Sequence, residues 1–247
     1  MLFSIYINDA PTIDQVDNVI FADDKGLYCS SYRIDTITNR LKKAAIKNVK
    51  YFERWKISTN FEKVESIIFT KRRPVITRTI TFFDHHVPWS ENVKYLGLIL
   101  DPKLTFSAHI RATIHKATGM LISLYPLINR KSIKLSVQNK LNIYKTVIRP
   151  VLTYACPVWS FMSLSNFNKL QVMQNKFLRM IVNYRMFTPI FQMHSDLNIE
   201  TIHDYVKKCS ANYFNRISSH SNKLVSCIPY ENGITKHRRI MHIVYNT

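Results

Sequence analysis

Val16 to Cys29, VDNVIFADDKGLYC, holds two short apolar runs, Val19-Ile20-Phe21 and Leu27-Tyr28-Cys29, with Asp23-Asp24-Lys25-Gly26 between them. β-Branched and aromatic residues on either side of a short polar break containing glycine predict a β-hairpin. Alternation along a strand sends adjacent side chains to opposite faces, but a tight turn can bring both near one metal ion. Adjacent acids repel each other, so the pair calls for a cation or for a turn, and Asp is a common turn residue. The dipeptide alone leaves both readings open.

Downstream of the hairpin, Ile34, Ile37, Leu41, Ala44, Ala45, Phe52 and Trp55 recur at mostly helical spacing, with Lys42, Lys43, Lys47 and Lys50 on the other face. That predicts an amphipathic helix of about twenty residues. Ser66 to Phe69, Arg78 to Phe83 and Val93 to Leu100 read as β-rich segments, with Arg72-Arg73-Pro74 and His86-Val87-Pro88 as turns between them. After Asp101-Pro102 the pattern becomes helix upon helix, at about 106–124, 132–149, 152–162, 164–183 and 199–218, punctuated by Pro126, Pro150 and Pro189. Leu164, Phe167, Leu170, Phe177, Leu178 and Ile181 form one apolar stripe, and Leu135, Leu141, Tyr144, Val147 and Ile148 another. These aromatics suit a core better than base-stacking platforms. The fold class expected is α+β, with a first domain over 1–101, a helical region over 102–220 and a poorly ordered tail over 221–247.

The charge is as uneven as the secondary structure. The 247 residues carry 35 Lys and Arg against 16 Asp and Glu, a formal net charge of +19. Twelve acids lie between Asp9 and Asp101, and the other four begin at Asp196. The 94 residues between hold no acid and thirteen Lys or Arg, from Lys103 to Arg185. A solvated helix face normally mixes signs to gain pairs one turn apart, and cations alone repel. A polyanion would relieve that repulsion. Nucleic acid is the first candidate, since each neutralised phosphate releases condensed counterions. An anionic membrane surface and a merely basic surface are the others.

Composition also excludes several classes. Hydrophobic residues at 46% are ample for a core, so a charge-driven disordered chain is ruled out. Only 4 Gly are present and neither GxGxxG nor GxxxxGK occurs, which argues against a Rossmann or P-loop enzyme. Cys29, Cys156, Cys209 and Cys227 form no CxxC pair, so reduced, mostly buried thiols are expected rather than a zinc site or disulfide framework. The opening MLFSIYINDAP lacks a basic start and is interrupted by Asn8-Asp9, which does not suit a secretory signal. No apolar run approaches the roughly 20 residues needed to span a bilayer. An intracellular protein, nuclear or cytoplasmic, is expected.

Five blocks in order carry a resemblance to a known family. IYINDAP…VIFADDKGLY resembles the segment around the metal-binding YADD or FADD motif of reverse transcriptases, specifically those of jockey-like non-LTR retrotransposons. WKISTNFEKVESIIF (Trp55 to Phe69) is similar to the block in which Trp, Asn and Lys recur before a strand. VKYLGLILDPKLTFSAHI (Val93 to Ile110) is similar to the primer-contacting hairpin and the start of the thumb. YKTVIRPVLTYACPVW (Tyr144 to Trp159) and LQVMQNKFLRMIV (Leu170 to Val182) resemble the helical region after the polymerase. Together they cover most of residues 2–205.

The resemblance implies a partial reverse-transcriptase palm followed by a helical thumb and downstream region, from an RNA-directed DNA polymerase. It implies Asp23 and Asp24 as catalytic ligands of Mg²⁺, with Mn²⁺ as a substitute. Lys63, matching the family's motif lysine, would protonate or stabilise pyrophosphate; an exposed lysine before a strand is the plainer reading. Tyr95 and Gly97 would contact the primer, and Lys103, Arg111, Lys116, Arg130, Lys131 and Lys134 the nucleic-acid backbone. Implied partners are an RNA template, a DNA primer or RNA–DNA duplex, and deoxynucleoside triphosphates, with no membrane.

Departures from the pattern limit these expectations. The family's further metal-binding Asp lies on a strand well upstream of the Asp-Asp motif, and Asp9, Asp14 and Asp17 stand in the wrong context to replace it. This chain alone is therefore expected not to polymerise, and to represent a fragment of a mobile-element reading frame begun at an internal methionine. A non-catalytic nucleic-acid-binding module is the alternative. Lys25-Gly26 replaces the Thr-Ala-like pair usual after the aspartates, and a lysine there could pair with Asp24 and weaken metal binding. Val64 stands where Thr or Cys usually follows the motif lysine.

Overall fold

The computed structural model describes residues 5, 7, 9–71, 80–82, 85–129, 135–182, 184 and 187–226. It is mixed α and β, and the chain divides into two compact units, Met1–Leu104 and Thr105–Thr247.

The first unit opens with the expected hairpin, β1 (Asp17–Phe21) and β2 (Asp24–Tyr28). Phe21 pairs with Asp24, Ile20 with Lys25 and Val19 with Gly26, which leaves Ala22-Asp23 as a two-residue turn. Ala22 takes φ 51, a left-handed value that such tight hairpin turns require and that glycine usually supplies. Helix α1 (Ile34–Arg54) follows, its 21 residues matching the predicted length. It packs through Leu41, Ala45 and Ile46 on Ile80 and Val87, joined there by Phe61, Val64 and Trp89. Ile80 and Val87 belong to a second hairpin, β3 (Ile80–Phe82) and β4 (His85–Val87). His86-Val87 was expected in a turn; instead both lie in β4, because Val87 pairs with Ile80 and is buried against α1. Ser66 to Phe69 contains no strand, only a single parallel bridge from Ser66 to Trp89. The expected Arg72-Arg73-Pro74 turn lies outside the described residues.

The third hairpin, β5 (Val93–Tyr95) and β6 (Leu98–Leu100), turns on Leu96-Gly97. Both turn residues have positive φ, 45 and 80, so Gly97 occupies a position that suits glycine on backbone grounds alone.

The second unit is helical: α2 (Ser107–Ile128), α3 (Val137–Ile143), α4 (Arg149–Leu152), α5 (Cys156–Trp159), α6 (Leu164–Ile181), α7 (Ile190–Asp196), α8 (Ile202–Ser218) and α9 (Lys223–Ser226). The prolines punctuate less than expected. Helix α2 runs through Pro126 to Ile128. Between α3 and α4 the chain stays helical as a wide π turn over Tyr144–Ile148, in which Arg149 N donates to Tyr144 O. A proline ring clashes with the carbonyl four residues before it, and widening the turn just ahead of Pro150 relieves that clash. Pro189 does precede a helix, but α7 was not foreseen: seven residues are too few for a clear period.

Helix α2 lies along α6, where fully buried Ile110 and Ala117 meet a core of Leu170, Met173 and Phe177. Tyr144, Ile148, Leu152, Trp159, Ile202 and Val206 complete that core, so most of the two predicted stripes is core, but Leu164 and Val147 are 70% and 39% exposed. A polar network runs through it. Fully buried Gln174 donates from Nε2 to Glu200 O (3.0 Å) and accepts at Oε1 from Ile202 N (3.1 Å) and from Gln171 Nε2 (2.8 Å). Ile202 N is one of the backbone donors that a helix start leaves unsatisfied, so α6 side chains cap α8. His194 closes the network, with Nδ1 2.8 Å from Ile199 O and Nε2 3.1 Å from Asn175 Oδ1. A carbonyl only accepts, so Nδ1 donates, and Nε2 of that tautomer accepts from Gln171 Nε2 at 3.1 Å rather than bonding the Asn175 oxygen. None of Gln171, Gln174, Asn175 or His194 was singled out from the sequence.

Replacing Gln174 with Leu keeps the volume but removes the side-chain donor to Glu200 O and one of the two acceptors of Ile202 N, a loss of about 2 kcal/mol. Chemical denaturation should show that loss, while the same change at exposed Gln138 should stay within about 0.5 kcal/mol of the parent.

Candidate active site

The three hairpin positions that follow the turn face in alternate directions. Lys25 and its cross-strand partner Ile20 share one face; Asp24 with Phe21, and Gly26 with Val19, share the other. Lys25 Nζ donates to Asn48 Oδ1 on α1 and lies 5.3 Å from the centroid of the Phe52 ring. Asn48 is itself buried and donates from Nδ2 to Ala44 O (2.9 Å), which fixes its oxygen toward the lysine. Removal from water pushes the Lys25 ammonium below its ordinary pKa. Lys25 therefore does not neutralise Asp24, contrary to the expectation from their adjacency; strand alternation turns it to the opposite face.

On the other face, Tyr95 of β5 sits beside Gly26, where a Cβ would meet the Tyr95 ring at 4.0 Å. That is ordinary contact, so Gly26 is not demanded by crowding. The Tyr95 hydroxyl is pushed up from its ordinary pKa by burial and then by the nearby Asp24 carboxylate. Its oxygen is buried and hydrogen-bonds to nothing among the described residues. Two hairpins that the sequence kept apart by 69 positions, Gly26 and Tyr95, thus meet on one face with Asp24.

Asp23 occupies the turn and Asp24 begins β2; both are exposed, and no ion pair or side-chain hydrogen bond engages either among the described residues. Lys63 ends a single 3₁₀ turn, Phe61–Lys63, that Asn60 caps by accepting from Glu62 N at 3.1 Å, and its side chain is exposed. Gly97 is exposed at its turn. Hard carboxylate oxygens suit Mg²⁺. Among the described residues, however, no group of three or more His, Cys, Asp or Glu gathers to hold a metal.

Of the basic residues expected on nucleic acid, Lys103, Arg111 and Lys116 are exposed, the latter two on α2. Arg130, Lys131 and Lys134 lie outside the described residues. Other cations of the acid-free stretch engage groups of their own unit. Buried Lys140 donates to Asn129 O at 2.8 Å, Lys169 to Asn166 Oδ1 at 3.1 Å and Arg179 to Thr188 O at 3.1 Å, and the Arg149 guanidinium stacks 4.0 Å above the Tyr205 ring. No helix among the described residues is long and apolar enough to cross a membrane.

Over 92% of its length the chain is 30% identical to the probable RNA-directed DNA polymerase from transposon X-element of Drosophila melanogaster. This chain is a relative of mobile-element RNA-directed DNA polymerases. It is also 29% identical over 90% of its length to the RNA-directed DNA polymerase from mobile element jockey, and 28% identical over 83% to the probable one from transposon BS, both of the same species. The chain spans about a quarter of the length of these curated polymerases, 25% of the first two. No protein-family model and no solved structure matches it. Asn48 is the position of this region that the sequence left unremarked, and Phe52 entered there only as part of the apolar stripe. Their signal was an Asn and a Phe one turn apart on the apolar stripe of α1, where a lysine has reason to go.

A base whose folded pKa is lowered releases its proton before the unfolded chain does. Its drag on stability is therefore present below the folded pKa and disappears as pH rises toward the ordinary 10.5. Thermal unfolding at increasing alkaline pH should show the parent gaining stability relative to Lys25→Met across that interval. Equal pH slopes in the two proteins would mean that Lys25 stays solvated.

Proposed function

We propose that this chain is the part of a non-LTR retrotransposon RNA-directed DNA polymerase that carries the Asp-Asp hairpin, with the palm portion over 1–101 and a basic helical thumb and downstream region over 102–220. The observation that carries the reading is the similarity to the X-element and jockey polymerases over nine-tenths of the chain, with the exposed, unpaired Asp23 and Asp24 falling at the tip of its first hairpin.

In the complete enzyme Asp23 and Asp24 hold Mg²⁺, and a further carboxylate comes from outside the described residues. When bound, the metal pair activates the primer 3′-hydroxyl and stabilises the leaving pyrophosphate. Lys63 presents its ammonium to that pyrophosphate, where a flexible exposed side chain can follow the leaving group. The Tyr95 side and the Leu96-Gly97 turn face the primer end beside Asp24, so that the hairpin supporting the carboxylate also positions the reacting strand. Lys103, Arg111 and Lys116 neutralise phosphates of the template–primer duplex, with RNA as template and deoxynucleoside triphosphates as substrates. Catalysis in such a site rests on holding nucleophile and phosphate in line more than on covalent chemistry by the protein.

This chain alone grips nucleic acid without chemistry. The exposed cations in a stretch devoid of acids favour that second role, a nucleic-acid-binding module, as what the isolated chain retains.

Primer extension on an RNA template with Mg²⁺ should give no product from the chain or from its Asp23→Ala, Asp24→Ala variant. Both should bind an RNA–DNA duplex, with affinity falling about 10²-fold between roughly 50 and 200 mM salt. Extension by the parent that the double substitution abolishes would show that the chain completes its own carboxylate set. Salt-insensitive binding, or none, would remove the thumb assignment.

A further inference from the structure

Helix α5 packs against α8, and between them opens a cavity of about 650 Å³ lined by Thr153, Cys156, Pro157, Cys209, Tyr213 and Arg216 among others. Two of the chain's four cysteines therefore meet on one wall, although 53 positions separate them in sequence. Cys156 stands at the first position of α5, just after Ala155 turns the chain through φ 50, and is 4% exposed. Cys209, on α8, is partly exposed. The two thiols line the same cavity between packed helices, and burial first, with the neighbouring Cys209 adding to it, pushes the Cys156 thiol up to about 11. Both are free thiols here. Neither takes part in the nucleic-acid reading above.

We propose that Cys156 and Cys209 are an oxidisable dithiol pair, which a hydroperoxide converts to a disulfide that ties α5 to α8. The accessible Cys209 sulfur attacks one peroxide oxygen, the O–O bond breaks, and the departing hydroxide takes up a proton to leave as water. Cys209 is then a sulfenic acid. The Cys156 sulfur attacks the Cys209 sulfur, the S–O bond breaks, and the second water departs with the Cys156 proton. Two thiols are oxidised to one disulfide and one peroxide is reduced to two waters. The open cavity admits the oxidant to Cys209, while burial keeps Cys156 protonated and unreactive toward it until the sulfenic acid forms beside it.

The bond would close a loop that contains α6 and α7, and so fix the helices that frame the Gln174 network. Cross-linking a long loop restricts the unfolded chain, so the oxidised protein resists unfolding more than the reduced one. In a reducing compartment the pair stays open.

The test uses the full chain, freed of reductant, exposed to hydrogen peroxide and then blocked with N-ethylmaleimide. Intact mass should show two unblocked cysteines and the loss of two hydrogens, and a non-reducing peptide map should give a Cys156–Cys209 linked peptide. The melting temperature should rise by several degrees and return when dithiothreitol is added. Cys156→Ser and Cys209→Ser should each lose both the link and the rise, whereas Cys29→Ser should keep them. Over-oxidation of Cys209 with Cys156 still open to blocking after unfolding, a link that uses Cys29 or Cys227, or no oxidation at all would each overturn the proposal.

Discussion

A half-buried ammonium holds the Asp-Asp hairpin in place. Val19, Ile20 and Phe21 are 44%, 39% and 63% exposed, so β1 gains little from burial, and two short strands are marginal by themselves. Lys25 supplies a directed contact instead, onto Asn48 and over Phe52. Taking a charge out of water is costly, and here an amide oxygen and a ring face return part of that cost. The result is positional: Lys25 on one face of β2 obliges Asp24 to occupy the other, beside Tyr95. The Asp24 carboxylate is thereby kept away from the nearest positive charge in its own sequence.

Local pattern made much of this arrangement legible. The first hairpin, α1 and the Val93 to Leu100 hairpin are all strongly patterned stretches and each formed, though the first turns at Ala22-Asp23 and takes Asp24, Lys25 and Gly26, expected in the break, into its second strand. What failed was whatever depended on a distant partner. His86-Val87 reads as a turn before Pro88, and only burial of Val87 against α1 makes it a strand. Lys25 next to Asp24 reads as an ion pair, and only Asn48, 23 positions away, shows otherwise. The prolines failed for another reason: Pro150 does obstruct an ordinary helix, but the chain answers with a π turn rather than a break.

Both units bury polar groups, and each leaves some side-chain atoms without a partner among the described residues, on Asn18 and Tyr95 in the first and on Tyr144, Arg149 and Ser210 in the second. In the helical unit every polar side chain of the Gln171, Gln174, Asn175 and His194 group finds partners within the group or on the backbone of residues 199–202. Such a network costs little when complete and much when broken, and it specifies one register of α6 against α8. In the first unit the Tyr95 oxygen stays buried without a partner beside an exposed pair of carboxylates.

Net charge is the feature most easily over-read in this chain. An acid-free stretch with thirteen cations suggests a continuous phosphate-binding face. Yet Lys140 and Arg179 donate to oxygens of their own unit, Arg149 lies on Tyr205, and Lys169, though exposed, donates to Asn166, so these four engage their own unit and their charge comes along. The absence of acids then acquires a second cause. Each of these cations already has a neutral acceptor or a ring, and a nearby carboxylate would compete for it and pull the side chain out of its structural bond. Long-range attraction of a polyanion depends on the sum of charges, whichever residues carry them, and survives this division. Close contact does not, and it falls to the cations that remain exposed, Lys103, Arg111 and Lys116 among them. Charge counting measures the field, and only the hydrogen-bond partners show which residues are free to touch what that field attracts.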